Sequence, residues 1–361
     1  MATHTLADAR ALFEPAPGIT YLDTATYGLP PRPTVEALHQ AVDAWQSATA
    51  NWVEDWDKRG EACRAAFAKL TDIPVRHVAL IPSASVGVGL IASTLTDKDE
   101  VVIPDDEFNS VLFPMLVAAQ SRGVNVTQVP FDQLADRVEP TTTLVAFSLI
   151  QSQSGRAARQ AAAIDAAQRV GARTLLDATH AVPFVPVDPR ADFVVCSAYK
   201  HLLSPRGVAF LSVAPQHWDA IPAWLANWRS TSHPYAVAYG GPLDQAASAA
   251  RFDVSLAWHA WAGAAVSMEL LTHWQAHGLL DEPPALARRL AAELDLPEPV
   301  GSVVSVPVDD ADGLRDALAV SGIKAAVRAG SVRFSTHVYN TAEDIDVALA
   351  ALATARQPIA R

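Results

Sequence analysis

Cysteine, lysine and long apolar runs are all scarce in this sequence. Its two cysteines, Cys63 and Cys196, lie far apart and outside any motif, which excludes a disulfide framework and a thiolate zinc site and favours a reducing, cytoplasmic setting. No apolar run approaches the roughly 20 residues of a membrane-spanning helix, and the N-terminus lacks the apolar segment of a secretory signal. The eleven histidines show no ligand spacing such as H-E-x-x-H, so we expect no metal site.

Basic charge is also in short supply. The 27 lysines and arginines are outnumbered by 39 acidic residues, which gives a net charge of -12. Such a surface repels the phosphates of nucleic acids and anionic membranes, so neither is an expected partner. Half of the residues are hydrophobic, which is enough for a large core divided over about two domains. Chemistry on a small molecule is the remaining expectation.

Short apolar runs are abundant, and from about residue 20 to residue 213 they alternate with alanine-rich, amphipathic stretches. This alternation predicts an α/β fold with a mostly parallel sheet covered by helices on both faces. In such folds ligands bind at the carboxyl ends of the strands. The predicted strands are Val78–Ile81, Val101–Ile103, Asn125–Val129, Leu144–Phe147, Thr174–Leu176, Phe193–Cys196 and Val208–Val213.

The pattern changes after residue 213. Pro215–Ala250 is irregular and rich in tryptophan, proline and serine, which is typical of a functional or interfacial segment. A long helix at about Ala257–His277 and a compact α+β pattern follow. We therefore predict a large cofactor-binding domain over residues 15–250 and a smaller α+β domain formed by residues 1–14 and 251–361.

Lys200 differs from the other four lysines in its surroundings. It follows the apolar run Phe193–Cys196 and therefore lies at the carboxyl end of a predicted buried strand. Apolar surroundings lower the pKa of a lysine, which favours imine formation with a carbonyl compound. A lysine at a sheet edge with its charge in solvent would show the same spacing.

Two neighbouring segments favour the reactive-lysine interpretation. Asp177 ends the preceding strand, where its carboxylate would keep the pyridine nitrogen of pyridoxal 5′-phosphate (PLP) protonated, although aspartate is also a common helix cap. Ser83, Ala84 and Ser85 open a predicted helix whose free N–H groups suit a phosphate, although capping alone would explain serines there. Together the three segments predict a PLP site around Lys200.

Longer motifs cover nearly the whole chain: Tyr21–Pro30 (YLDTATYGLP), Leu175–Ala181 (LLDATHA), Ser197–Lys200 (SAYK), Ser204–Leu211 (SPRGVAFL) and Arg333–Asp346 (RFSTHVYNTAEDID). With them the sequence resembles the fold-type I, class V PLP enzymes, which are the aminotransferase and cysteine-desulfurase superfamily. This resemblance implies a large PLP-binding domain with a mostly parallel sheet, a smaller C-terminal domain and a homodimer, for whose interface the segment Trp218–Tyr239 is suited.

The resemblance also implies residue roles. Lys200 would carry PLP as a Schiff base and move the proton at the substrate Cα, with Asp177 paired to the pyridinium nitrogen. Arg333 would clamp the substrate carboxylate. Phe108 would stack on the ring, where many relatives have a histidine. Tyr27 is an expected substrate contact. The other expected cofactor contacts are Ser83, Ala84, Ser85, Ser152, His180, Ser197, Tyr199 and Ser255.

The chain departs from the cysteine desulfurases of this superfamily. Their mobile cysteine loop, which lies shortly before the carboxylate-binding arginine, is missing from Gly322–Arg333. Cys63 falls in a predicted helix and Cys196 in a buried strand, where thiols are inert. Sulfur transfer through an enzyme persulfide is therefore not expected.

Within this superfamily the sequence is similar to the branch that contains isopenicillin N epimerase-like proteins and the hercynylcysteine sulfoxide lyase of ergothioneine biosynthesis. Three features carry this similarity: Phe108, the segment Arg251–Trp258 and the missing cysteine loop. This similarity implies cleavage of the Cβ–S bond of a cysteine S-conjugate, which yields a sulfenate or thiol, pyruvate and ammonia. A class V aminotransferase and an amino-acid epimerase stay open as alternatives. A cofactor-free binding protein would be expected to have lost the lysine, the acid or the arginine.

Three tryptophans bear on the substrate. Trp45, Trp52 and Trp56 are spaced by seven and four residues, as on one face of a helix, with acidic residues beside them. Such a stripe is typical of a helix core, but aromatic faces also bind trimethylammonium groups. We expect Trp52 to contact a betaine-type substrate.

Overall fold

The computed structural model describes residues 4–236 and 239–355. Residues 1–3, 237–238 and 356–361, which belong to the predicted domains and to the segment Trp218–Tyr239, lie outside the described residues. The helices are α1 (Leu6–Arg10), α2 (Arg32–Gln46), α3 (Arg59–Thr71), α4 (Ala84–Ala92), α5 (Asn109–Arg122), α6 (Gln160–Val170), α7 (Trp258–Ala276), α8 (Glu282–Glu293), α9 (Ala311–Val320) and α10 (Ala342–Ala355).

The strands of the described chain form three sheets. They are β1 (Thr20–Tyr21), β2 (Val78–Ile81), β3 (Glu100–Pro104), β4 (Asn125–Val129), β5 (Leu144–Ser148), β6 (Arg173–Asp177), β7 (Phe193–Ser197), β8 (Ala209–Val213), β9 (Val303–Pro307), β10 (Ile323–Lys324), β11 (Ala326–Arg328) and β12 (Ser331–Ser335). The central sheet has the order β2-β8-β7-β6-β5-β3-β4, in which β8 runs antiparallel to both of its neighbours and the other pairs are parallel.

The central sheet is buried on both faces because alternate residues of its strands enter two different cores. In β5, Leu144 and Ala146 contact the core that contains α4 and α5, whereas Val145 and Phe147 contact the core that contains α3, α6 and α7. Such strands read as continuous apolar runs, which is why they were visible in the sequence. Each predicted strand of this sheet is present, with its ends shifted by at most one residue.

The C-terminal part has a core of its own. Strands β11, β12 and β9 form an antiparallel sheet against which α8, α9 and α10 pack, with Phe334 and Ile345 fully buried between them. Helix α7 packs against α2 and α3 and contributes Trp261 and Met268 to the core below the central sheet. The α/β fold class is confirmed, while the domain division near residue 250 stays a prediction.

Among the described residues, no helix combines the length and the apolar character that crossing a bilayer requires.

Candidate active site

Lys200 lies at the carboxyl edge of the central sheet. It follows β7, and Asp177 is the last residue of the adjacent parallel strand β6. The next strand, β5, ends at Ser148, which is the register partner of Asp177. The side chains of this edge therefore converge, as the strand order requires. Lys200 is 5% exposed, so its amine is held inside the protein.

The Lys200 amine is poised between its charged and neutral forms. Burial lowers the pKa of Lys200 to about 8, although the nearby Asp177 carboxylate opposes this shift. Its Nζ lies 2.9 Å from Nε2 of His180. Burial, together with the charge on Lys200, lowers the pKa of His180 well below its ordinary value, so the ring is neutral and Nε2 accepts the hydrogen bond. Nδ1 of His180 is buried with no partner in the described chain.

Asp177 is a buried carboxylate, so a nearby positive charge would stabilise its anionic form. Its Oδ1 accepts the backbone N–H of Thr179 at 2.8 Å. Burial raises the pKa of Asp177, while the hydrogen bonds from Thr179 and the charge on Lys200 act in the opposite direction. A protonated ring nitrogen beside this carboxylate would favour its anionic form.

Four of the predicted cofactor contacts come together at the start of α4: Ser83, Ala84, Ser85 and Ser197. The backbone N–H of Ala84 donates to Oγ of Ser197 at 3.2 Å, and the hydroxyls of Ser83 and Ser85 are 3.0 Å apart. Ser83 precedes the helix but makes no side-chain capping bond, so its hydroxyl is not used by the helix end. Ser255 is exposed, and no hydrogen bond within the described chain joins it to these serines. These side chains and the helix N-terminus suit a phosphate.

Two aromatic rings lie beside Lys200. The lysine Nζ is 5.2 Å from the ring centroid of Phe108 and 5.6 Å from that of Tyr199. The Arg206 guanidinium covers Tyr199 at 4.5 Å from the ring centroid. Phe108 is 38% exposed, so its face is available for a planar ring.

Arg333 is buried in β12, and its guanidinium reaches the same region. Nη1 donates to the carbonyl oxygen of Ser152 at 2.6 Å and Nη2 to Oγ1 of Thr26 at 2.9 Å, while Nε is buried without a partner in the described chain. Burial and the nearby Arg328 lower the pKa of Arg333 to about 10, so it stays cationic at neutral pH. Ser152, expected at the cofactor, thus contacts the arginine. The expected substrate contact Tyr27 is exposed and follows Thr26.

Sequence reasoning missed Glu107. This buried carboxylate accepts the N–H of Phe108 at 2.7 Å, the hydroxyl of Ser148 at 2.5 Å and the N–H of Ser148 at 2.7 Å. Burial raises the pKa of Glu107 to about 7 in spite of these bonds, and the nearby Asp177 adds to the rise. Glu107 therefore connects the Phe108 backbone to the strand end beside Asp177. An acidic residue directly before Phe108 was the one available signal.

The expectation that Trp45, Trp52 and Trp56 share one helical face is wrong. Trp45 lies near the end of α2, whereas Trp52 and Trp56 belong to a separate π-helix, Trp52–Asp57. The residues between them form a turn that breaks the helical period. Trp56 is buried and packs as a core residue, while Trp52 is 40% exposed.

Trp52 instead belongs to an aromatic cluster with partners that are distant in sequence. Its ring centroid is 5.0 Å from that of Trp258, 5.6 Å from that of Trp228 and 6.1 Å from that of Tyr235. The buried Asp57 accepts from the Tyr235 hydroxyl at 2.6 Å and from Nε1 of Trp258 at 3.0 Å. We call Trp52, Trp228, Tyr235 and Trp258 the aromatic cluster.

The geometry has the parts of a PLP site. These are a buried lysine beside a neutral histidine, a buried acid at the neighbouring strand end and a serine-rich helix start. The unpartnered His180 Nδ1 and the buried Asp177 carboxylate both fit bound PLP, as does the exposed face of Phe108. The protein is thus a PLP enzyme of the α/β class. The chain belongs to the aminotransferase class-V family, whose pattern matches residues 20–348.

Proteins that are similar to this chain are named for different reactions. It is 26% identical over 365 residues to the uncharacterized aminotransferase YcbU of Bacillus subtilis, and the match covers 95% of this chain and 96% of that protein. It is 27% identical over 181 residues to isopenicillin N epimerase of Streptomyces clavuligerus, which covers 46% of each. The solved complex of the cystine C–S lyase C-DES with cysteine persulfide has a TM-score of 0.82 and 19% identity, with 93% of this chain and 97% of that chain covered.

The family and the fold were thus confirmed, and PLP is the cofactor. The individual residue roles stay predictions. The structure brings together Lys200, Asp177, His180, Ser197 and Phe108, whereas it places Trp52 in the aromatic cluster.

Proposed function

We propose that this enzyme is a PLP-dependent lyase that cleaves the Cβ–S bond of a cysteine S-conjugate, of which a hercynylcysteine sulfoxide-like compound is the model. The observation that carries the proposal is the state of the two thiols. Cys63 and Cys196 are fully buried, and burial raises the pKa of each thiol well above its ordinary value. Neither forms the accessible thiolate that accepts sulfur in a persulfide mechanism. The sulfur therefore leaves with its own substituent.

The residues of the chain divide the work of this elimination. Bound PLP supplies the electron sink for the substrate Cα. Arg333 holds the substrate carboxylate with its fork of N–H groups and so orients the Cα–H bond. The Lys200 amine, with a pKa lowered to about 8, accepts the Cα proton near neutral pH.

The electron pair of the Cα–H bond then forms a Cα–Cβ double bond while the Cβ–S bond breaks, and the sulfur departs with the electron pair of the Cβ–S bond as a sulfenate. The released 2-aminoacrylate takes up water and decays to pyruvate and ammonia. The neutral His180, 2.9 Å from the amine, orients Nζ toward the substrate.

The aminotransferase and epimerase alternatives begin with the same proton transfer. Epimerisation by two bases needs a second acid on the face opposite Lys200, and Phe108 offers none. Transamination needs the proton to return to the cofactor side and a 2-oxo acid to accept the amino group. Transamination remains the alternative to test, because the match to the aminotransferase YcbU covers nearly the full chain.

The aromatic cluster supports a cationic substituent on the sulfur. Four rings contact one another above the buried Asp57, and each ring contributes roughly 0.5–2 kcal/mol to a cation held over its face. Tyr235 and Trp258 also donate hydrogen bonds to Asp57, which holds their rings in place. A quaternary ammonium group is the ligand that such a cluster suits.

The cluster is linked to the lysine loop through one segment. A Cβ on Gly207 would lie 3.8 Å from Cβ of Ala257, the residue before Trp258, and the Arg206 guanidinium covers Tyr199 beside Lys200. We include the homodimer in the proposal, with the segment Trp218–Tyr239 at its interface, because exposed Trp224 and Tyr239 are apolar surface that a second copy would cover.

The test is an acceptor-free assay. The holoenzyme is incubated with a trimethylammonium-bearing cysteine S-conjugate sulfoxide, and pyruvate is measured with lactate dehydrogenase. We expect one pyruvate per sulfur released with no 2-oxo acid present. Strict dependence on a 2-oxo acid would establish transamination instead, and recovery of the D-enantiomer without pyruvate would establish epimerisation. S-methylcysteine sulfoxide serves as the substrate that lacks the cation.

A further inference from the structure

Three histidines from opposite ends of the chain meet on the surface, far in sequence from the residues of the lysine site. His273 and His277 are one helical turn apart at the end of α7, and His4 lies just before α1. Their ring centroids are 4.2 to 5.2 Å apart, and one nitrogen of each ring lies within 4.8 Å of the others.

The hydrogen bonds of His277 define its tautomer. Its Nδ1 lies 2.8 Å from the carbonyl oxygen of His273, which only accepts, so Nδ1 carries the proton and Nε2 presents a lone pair. That lone pair accepts a hydrogen bond from Nδ1 of His4 at 3.0 Å, and a bound metal ion would take the place of this proton. A backbone carbonyl on the distal nitrogen is how proteins usually orient a histidine that binds a metal.

We propose that His4, His273 and His277 bind a divalent transition-metal ion of the kind imidazole prefers, Zn²⁺, Ni²⁺ or Cu²⁺, with solvent completing the coordination. The negative end of the α7 dipole favours a cation there, and Glu269, one turn before His273, adds negative charge on the same helix. The sequence led us to expect no metal, because the third ligand lies more than 260 residues from the other two.

The ion would tie the N-terminal segment to α7. Helix α1 already contacts the C-terminal part, since Arg10 donates to the carbonyl oxygen of Asn340 at 3.1 Å and pairs with Glu282. A metal clip between His4 and α7 would close this arrangement and stabilise the fold by mass action.

The test uses the full-length holoenzyme without a polyhistidine tag and Zn²⁺ as the probe. We expect one tight Zn²⁺ per chain by calorimetry and a saturable Tm increase of roughly 5 °C at a hundredfold excess over Kd. Each of His4→Gln, His273→Gln and His277→Gln should weaken binding at least tenfold. His39→Gln, an exposed histidine on α2, is the matched control and should bind like the wild type.

Two outcomes would overturn the site. Equal Zn²⁺ binding in all four variants would place the ion elsewhere, and unchanged affinity in His4→Gln alone would reduce the site to a helical pair. The visible absorbance of bound PLP reports that each variant is folded, and it does not depend on the proposed reaction.

Discussion

The site around Lys200, Asp177 and Arg333, which we call the lysine pocket, and the aromatic cluster are built in opposite ways. The pocket takes Asp177 and Lys200 from the ends of neighbouring strands of the central sheet and Arg333 from β12 of the antiparallel sheet, and both Lys200 and Arg333 are at most 5% exposed. The cluster takes its rings from a π-helix, a 3₁₀ turn, an irregular loop and the start of α7, and Trp52 is 40% exposed. Regular strands thus hold the charged groups of the pocket, while irregular segments supply most rings of the aromatic cluster.

A charge network, buried except for the exposed Glu61, holds the irregular segment beneath the cluster. Arg229 pairs with Asp57 and Glu61, and Arg64 pairs with Glu61 and Asp253. Two guanidinium groups thus face three carboxylates, so the network has one negative charge in excess. That excess lies under rings proposed to bind a cation, and it couples Trp228 to α3 through its neighbour Arg229.

The strongest test of the pocket is Lys200→Ala. We expect pyruvate formation to fall by at least about 10³-fold, because the variant lacks the amine that we propose accepts the Cα proton. Borohydride should no longer attach the cofactor to the protein, although PLP should still bind through the proposed contacts at Asp177 and the α4 start. A variant that retained a borohydride-reducible link would place the reactive amine on another residue.

Arg333→Lys tests the carboxylate clamp. The charge remains but the fork of N–H groups is lost, so we expect kcat/KM to fall about 100-fold, mainly through KM. Arg328→Gln is the matched control, because that exposed side chain also contacts Thr26, at 3.3 Å. Its kcat/KM should change only a few-fold. Similar losses in the two variants would mean that general positive charge, and not the fork, binds the carboxylate.

The same difference between strand ends and irregular segments determined which parts of the site could be predicted from the sequence. The strands that end at Asp177 and just before Lys200 are consecutive in the chain and are also neighbours in the sheet, so the structure has these two residues close together, as their spacing predicted. The aromatic cluster joins residues 52, 228, 235 and 258, which no periodicity connects. The stripe of Trp45, Trp52 and Trp56 failed because the turn after α2 breaks the helix between them. The histidine triad was invisible for the same reason as the cluster.

Trp52→Ala tests whether the cluster recognises a cation. For the trimethylammonium conjugate we expect KM to rise about 10-fold, as the loss of one or two cation–π contacts predicts. KM for the neutral S-methylcysteine sulfoxide should stay unchanged. Trp45→Ala removes a tryptophan that is 64% exposed but outside the cluster, and should affect neither substrate. An equal rise in KM for both substrates would show that Trp52 supports the fold and does not bind the trimethylammonium group.

The smallest effect is expected from the buried acid of the pocket. Folding raises the pKa of Glu107 from 4.5 to about 7, so the folded chain keeps a proton that the unfolded chain has already released. Its favourable contribution is complete below pH 4.5 and is lost as the pH rises through 7. The free energy of unfolding should therefore fall by about 1 kcal/mol between pH 6 and pH 8 through this group. Glu107→Gln does not titrate, so urea unfolding of the holoenzyme should lose this part of its pH dependence. An unchanged slope in the variant would assign the titration to another group and leave Glu107 as an anion held by Ser148 and Phe108.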